Sequence, residues 1–128
     1  MSRTDMSLVH LNLLVEDIDR SIGFYRRWFG FDTVPRRYPD GTVFINDSDG
    51  FDLALHPGQP TSPGMSGVHF GFRANDPEVV RRLRDTMTGD AISITESYDT
   101  DTFVNLKCLD PDGYEIEVYW EPHRLDRV

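Results

Sequence analysis

The sequence predicts an α+β fold of two tandem βαβββ modules, forming a curved, mostly antiparallel sheet around a central groove. Three observations carry this. Two runs of strand-like alternation each lead into an amphipathic helix, and three shorter strand-like runs follow each helix. A proline- and glycine-rich stretch divides the 128 residues near the middle. The two halves then repeat one another at an almost fixed offset.

Leu8 to Val15 alternates with period two, placing Leu8, His10, Asn12 and Leu14 on one face and Val9, Leu11, Leu13 and Val15 on the other. A helix follows, with Asp17 or Asp19 placed to accept from its unpaired N–H groups. Ile18, Ile22, Tyr25 and Phe29 recur at helical spacing, and Gly30 suits the left-handed residue that ends such a helix. Strands are expected near 31–38, 42–46 and 51–56, divided by the turn residues Pro39-Asp40-Gly41 and Asp47-Ser48-Asp49-Gly50.

Residues 57–64 carry three prolines and two glycines, a composition that sustains neither a helix nor a central strand. Beyond it Val68 to Ala74 alternates again, with His69, Gly71 and Arg73 on one face. Asp76-Pro77-Glu78 opens a second helix striped by Val80, Leu83 and Met87 and stopped at Gly89. Strands are expected near 91–97, 102–109 and 114–120, with Asp110-Pro111-Asp112-Gly113 turning into the last. The whole reads as a single domain over 1–128: module one about 7–56, linker 57–66, module two about 67–120 and a loose tail 121–128.

Val9-His10, Asp17 and Gly30 return as Val68-His69, Asp76 and Gly89, each 59 positions later. Asp49-Gly50-Phe51-Asp52-Leu53-Ala54-Leu55 mirrors Asp112-Gly113-Tyr114-Glu115-Ile116-Glu117-Val118 at an offset of 63. Neither module is large enough to bury a good core alone, so each must pack against another module, in this chain or in a second copy.

A formal net charge of −9 repels phosphate backbones and anionic lipid, which argues against nucleic acid or membrane as the main partner. The single cysteine, Cys108, forbids an intrachain disulfide and a thiolate metal cluster. The opening residues lead only into a strand-length apolar run, too short for a signal peptide or membrane span. A cytoplasmic protein acting on a small molecule is expected.

A histidine in a strand is more often packed than ligating. Here, however, His10 and His69 hold equivalent places in the repeat, and near-two-fold symmetry would bring both to one groove. Glu117 alternates with Ile116 and Val118, so its carboxylate faces away from the apolar side, where burial is costly unless a partner or metal answers it. Two imidazoles and one carboxylate match the three-ligand facial set of non-haem Fe(II), which leaves coordination positions open.

The segments Val9–Ile18, Phe24-Tyr25, Gly67-Val68-His69-Phe70 and Asp110–Val118 resemble the vicinal-oxygen-chelate superfamily, which comprises glyoxalase, bleomycin-resistance and extradiol-dioxygenase types. The resemblance implies one divalent metal held by His10, His69 and Glu117, with Fe(II) or Mn(II) favoured and Zn, Ni or Co as alternatives. It also implies a homodimer, because such modules commonly pair their sheets across chains.

Glyoxalase- and epimerase-like members use a fourth protein ligand, but the repeat sets Ala54 opposite Glu117, and alanine cannot ligate; Asp52 shares its face. Extradiol dioxygenases carry an acid/base histidine that His56 resembles, 13 positions before His69. Their second histidine and tyrosine ahead of the Asp-Pro-x-Gly turn are replaced here by Tyr98 and Lys107. Fosfomycin-type transferases need a cationic pocket, for which Arg73 and Lys107 are the available residues. The reading is therefore an extradiol-type dioxygenase on a catechol-like compound, with lyase, isomerase and thiol-transferase chemistry as alternatives. Asn12, Arg73 and Tyr119 share the ligand faces and are the expected pocket wall. A metal-free protein that sequesters an aromatic drug or metabolite is the alternative of another class.

Overall fold

The computed structural model describes residues 5–60 and 67–122. The chain forms two compact units, residues 1–61 and 62–128. The proline-rich run falls at their border, its residues 61–66 lying outside the described residues, as do residues 123–128 of the expected tail.

In the first unit the order is β1 (His10–Val15), α1 (Ile18–Phe29), β2 (Arg36–Arg37), β3 (Val43–Asn46) and β4 (Asp52–Pro57). The strands lie in the order β1-β4-β3-β2, with β1 parallel to β4 and the other pairs antiparallel. Asp17 caps α1 by accepting from the Arg20 N–H at 3.0 Å, and Gly30 ends it at φ 70°. Leu13, Val15, Val43, Ile45, Leu53 and Leu55 are buried on one side of the sheet with Ile22, Tyr25 and Phe31. The strand expected over 31–38 shrinks to two residues. Phe31 turns into the core, ring edge to Tyr25, and Pro35 has no N–H to give a ladder.

The second unit repeats the plan: β5 (Phe70–Arg73), α2 (Pro77–Gly89), β6 (Ile94–Asp99), β7 (Val104–Leu109) and β8 (Glu115–Trp120), ordered β5-β8-β7-β6 with β5 parallel to β8. Val80 and Met87 of α2 are buried, as are Val104, Leu106, Cys108, Ile116 and Val118 of the sheet. Gly89 does not stop α2, as the sequence suggested, but is its last helical residue. Asp90 caps the helix, and Ala91 takes the left-handed turn at φ 60°.

The internal repeat extends to individual hydrogen bonds. Asp47 Oδ1 accepts from the N–H groups of Asp49 (3.1 Å) and Phe51 (2.9 Å), and Asp110 Oδ1 accepts from those of Asp112 (2.9 Å) and Tyr114 (3.0 Å). Gly50 and Gly113 close these turns at φ 84° and 90°, a conformation that a Cβ disfavours. The two turns deliver β4 and β8, the strands that carry Ala54 and Glu117. Among the described residues no helix is long and apolar enough to cross a membrane.

Candidate functional site

Each sheet has one face against its helix and one open face, and period-two alternation sorts the polar residues onto the open one. On the first unit β1 pairs with β4 in the register His10↔Asp52, Asn12↔Ala54 and Leu14↔His56. His10 therefore stands beside Asp52, while Asn12 is exposed beside the buried Ala54. Asp52 Oδ1 is engaged by Arg36 Nη2 at 2.8 Å and Asn46 Nδ2 at 2.5 Å. His56 lies four residues along β4 from Asp52, about 13 Å at the usual strand rise, where its Nδ1 is 2.6 Å from Thr42 Oγ1.

On the second unit His69 immediately precedes β5 rather than lying in it, and Gly71↔Glu117 and Arg73↔Tyr119 are paired. His69 Nε2 is 3.3 Å from Glu117 Oε1. The other carboxylate oxygen, Oε2, accepts from Asn105 Nδ2 at 2.8 Å. The same amide nitrogen donates to Glu96 Oε2 at 2.8 Å, and Asn105 Oδ1 accepts from the Tyr98 N–H at 2.9 Å. Asn105 is 1% exposed, so every polar group it buries is answered. Lys107 Nζ, 3.6 Å from Glu96 Oε2, offsets part of the negative charge. Arg73 is committed to Glu121, with Nη1 donating to its Oε1 at 2.8 Å, and lies over the Tyr119 ring.

An imidazole nitrogen and a carboxylate oxygen suit borderline divalent cations. Two such donors sharing one ion at about 2.1 Å each stand roughly 3.0 to 3.4 Å apart in octahedral or tetrahedral geometry. The 3.3 Å between His69 and Glu117 fits that spacing. Within either unit, among the described residues, no three His, Cys, Asp or Glu side chains gather at one point. His10 belongs to the first unit and this pair to the second.

Residues 7–118 match the family model of the Glyoxalase/Bleomycin resistance protein/Dioxygenase superfamily. The chain belongs to that superfamily. A probable trivalent organoarsenical cleaving enzyme of Bacillus subtilis is 26% identical over 90% of this chain and 80% of its own length. A trivalent organoarsenical cleaving enzyme of a Bacillus species is 27% identical over 90% of this chain and 73% of its own length. Among solved structures, a possible glyoxalase from Bacillus cereus superposes with a TM-score of 0.74 at 26% identity, covering 88% of this chain and 97% of that one. A lactoylglutathione lyase from Agrobacterium tumefaciens superposes at 0.70 and 22% identity, covering 91% and 95%, a likeness of fold alone.

Two residues of this superfamily member's second sheet are given no role at the site by the sequence reading. Asn105 is one. Its clue is a polar side chain alternating with Lys107 in an otherwise apolar strand, flanked by strands that each bear a glutamate. Gly71 is the other: a Cβ there would meet the Glu117 backbone oxygen at 2.9 Å and the Glu117 Cβ at 3.4 Å. Gly71→Ala is therefore expected to displace β8 at Glu117, costing about 1–3 kcal/mol. Chemical denaturation checks the stability loss, and an unchanged midpoint would refute the close approach.

Cys108 is fully buried in β7, and burial pushes its thiol up to about 12, with Asp110 and Glu115 adding to the effect. It should resist iodoacetamide at neutral pH in the folded protein and react once the chain is denatured. Between pH of about 9 and 12 the unfolded chain releases this proton while the folded chain keeps it, so stability falls as pH rises. The expected contribution within that window is about 1.4 kcal/mol per pH unit, absent from Cys108→Ala. Identical slopes for the two proteins would contradict the assignment.

Proposed function

We propose that this protein is a divalent-metal-dependent enzyme whose small substrate presents two vicinal oxygens, and that its reaction is extradiol-type cleavage of a catechol-like compound. The observation that carries this reading is the convergence of His69 Nε2 and Glu117 Oε1, with Glu117 oriented by a buried asparagine. His10, at the equivalent place in the first unit, is the third proposed ligand; Fe(II) or Mn(II) is the favoured metal and a homodimer the proposed assembly. When bound, the metal supplies a Lewis acid that stabilises negative charge on the substrate oxygens. Ala54, which the repeat sets opposite Glu117, offers no fourth donor. His56 is the proposed proton carrier, and Asn12 and Tyr119 the polar and aromatic parts of the wall. Arg73, neutralised by Glu121, is a wall residue rather than an anion receptor.

A second reading comes from the two relatives named as organoarsenical cleaving enzymes. Trivalent arsenic is soft and favours thiolates. The one thiol of this chain is buried and held protonated, so a thiolate handle for arsenic is missing. This favours an oxygen-chelating substrate over an arsenical.

The test supplies Fe(II)-loaded protein with a panel of catechols in an oxygen electrode, beside a trivalent methylarsenical and a glutathione hemithioacetal. Oxygen uptake equal to catechol consumed supports the dioxygenase reading. Turnover only of the hemithioacetal, or only of the arsenical, replaces it with lyase chemistry or with the second reading.

A further inference from the structure

We propose that a recess beside the turn between β2 and β3 binds a small organic cation of the quaternary ammonium class, through the rings of Tyr38 and Phe44 and the carboxylate of Asp40. Tyr38, Pro39, Asp40, Thr42 and Phe44 line this recess, whose volume is about 520 Å³. Small-ligand pockets run from about 300 to 1,000 Å³. Thr42, 9% exposed, lies at its base, while Tyr38 and Asp40 are exposed at its rim. The two rings meet at 74° with centroids 5.5 Å apart, a perpendicular pair that leaves ring faces uncovered where a stack would hide them. The negative face of an aromatic ring attracts a cation, most strongly once both are drawn out of water. The Phe44 ring already shows this, with the Arg36 Cζ 5.1 Å from its centroid. The charge of that arginine is answered by Asp52 at 2.8 Å, so it is not spent on Asp40.

Backbone donors are scarce in the recess. The N–H groups of Tyr38, Gly41 and Thr42 are spent inside the turn, on the Thr42 oxygen (2.9 Å), the Tyr38 oxygen (3.0 Å) and Asp40 Oδ1 (3.0 Å), and Pro39 has none. A carboxylate or phosphate ligand needs such donors and would also meet Asp40. A quaternary ammonium ion needs none. The Thr42 backbone N–H is the first cause holding the Asp40 carboxyl below its usual range, so it is ionised at neutral pH. Among the described residues it has no ion-pair partner. His56, whose Nδ1 meets Thr42 Oγ1 at 2.6 Å, is the titratable neighbour whose protonation would oppose a cationic ligand. The net charge of −9 draws cations toward the protein as a whole. Phe44 pairs with Ala54 and Ala54 with Asn12, so the recess lies two strands, about 10 Å, from β1 and its His10. It is separate from the proposed metal ligands.

The test titrates choline chloride into metal-free, 15N-labelled protein at constant ionic strength and about pH 7.5, above the ordinary imidazole range. Its uncharged isostere, 3,3-dimethylbutan-1-ol, is titrated in parallel. No metal takes part, so failure here is separate from failure of the enzyme reading. Choline should shift the amide signals of residues 38–44 saturably, with an affinity about tenfold above that of the alcohol, as expected for a cation on partly desolvated rings. Tyr38→Ala removes a ring that is 47% exposed and outside the core, so the fold should persist while choline affinity falls by about fivefold or more. Asp40→Asn keeps an Oδ1 able to accept the Thr42 N–H, and should erase most of the preference for choline over the alcohol. Equal wild-type affinity for the two ligands would make the recess a merely apolar pocket and overturn the proposal. Saturable shifts confined to other residues, or none at all, would overturn it too.

Discussion

Glu117→Gln is expected to weaken divalent-metal binding by more than 100-fold. Loss of an outer partner of a metal ligand typically costs 10–100-fold, and loss of a charged ligand should cost more. The substitution keeps the shape of a side chain that is 18% exposed, but replaces the oxygen facing His69 with a neutral amide atom. The fold should persist, because Ile116 and Val118 on the opposite face of β8 are untouched and remain buried. Calorimetric titration with Mn(II) reads the affinity, and circular dichroism verifies the fold. Equal affinity in the two proteins would remove Glu117 from the metal site and with it the pairing on which the functional proposal rests.

Asn105→Ala should produce the second largest effect, and on two readouts together. Its amide separates two carboxylates, Glu96 and Glu117, each accepting at 2.8 Å. Truncation leaves both without that donor and leaves the Tyr98 N–H without its acceptor. The expected stability loss is about 1–3 kcal/mol, the usual cost of stranding a buried polar group. Metal affinity should fall by about 10–100-fold, because Glu117 would no longer be held with one oxygen toward His69. If stability drops while metal affinity is unchanged, Asn105 is a packing element only. Asn105→Asp should be worse than alanine for stability, since a third carboxylate would face the other two and Lys107, 3.6 Å from Glu96, offsets only part of that charge.

How much of this was legible in the sequence depends on which residues decide each feature. Alternation along β1 and β8 placed His10, Asn12 and Glu117 on the open faces because those strands are regular and one side of each is apolar. The caps Asp17 and Asp76 and the turns at Asp47 and Asp110 were legible for the same reason: each is a local hydrogen-bond pattern between residues two to four apart. The Asn105 network was not legible, because it depends on cross-strand register. Counting by twos from Ile94, which pairs with Cys108 on the buried side, sends Glu96 to the buried face. An irregularity between Ile94 and Glu96 shifts the register instead, so that Glu96 pairs with Lys107 on the open face. Likewise nothing in the sequence indicates that His56 meets Thr42, because that contact depends on the hairpin register that sets β3 against β4.

The proposed function requires a divalent metal held through His10, His69 and Glu117. Elemental analysis of protein purified anaerobically without chelator, beside its His69→Ala variant, tests it most directly. The expected result is about one Fe or Mn per chain in the wild type and none in the variant. Absence of metal from both proteins, even after reconstitution with Fe(II), Mn(II), Zn, Ni and Co, would contradict it and leave a binding protein in place of an enzyme.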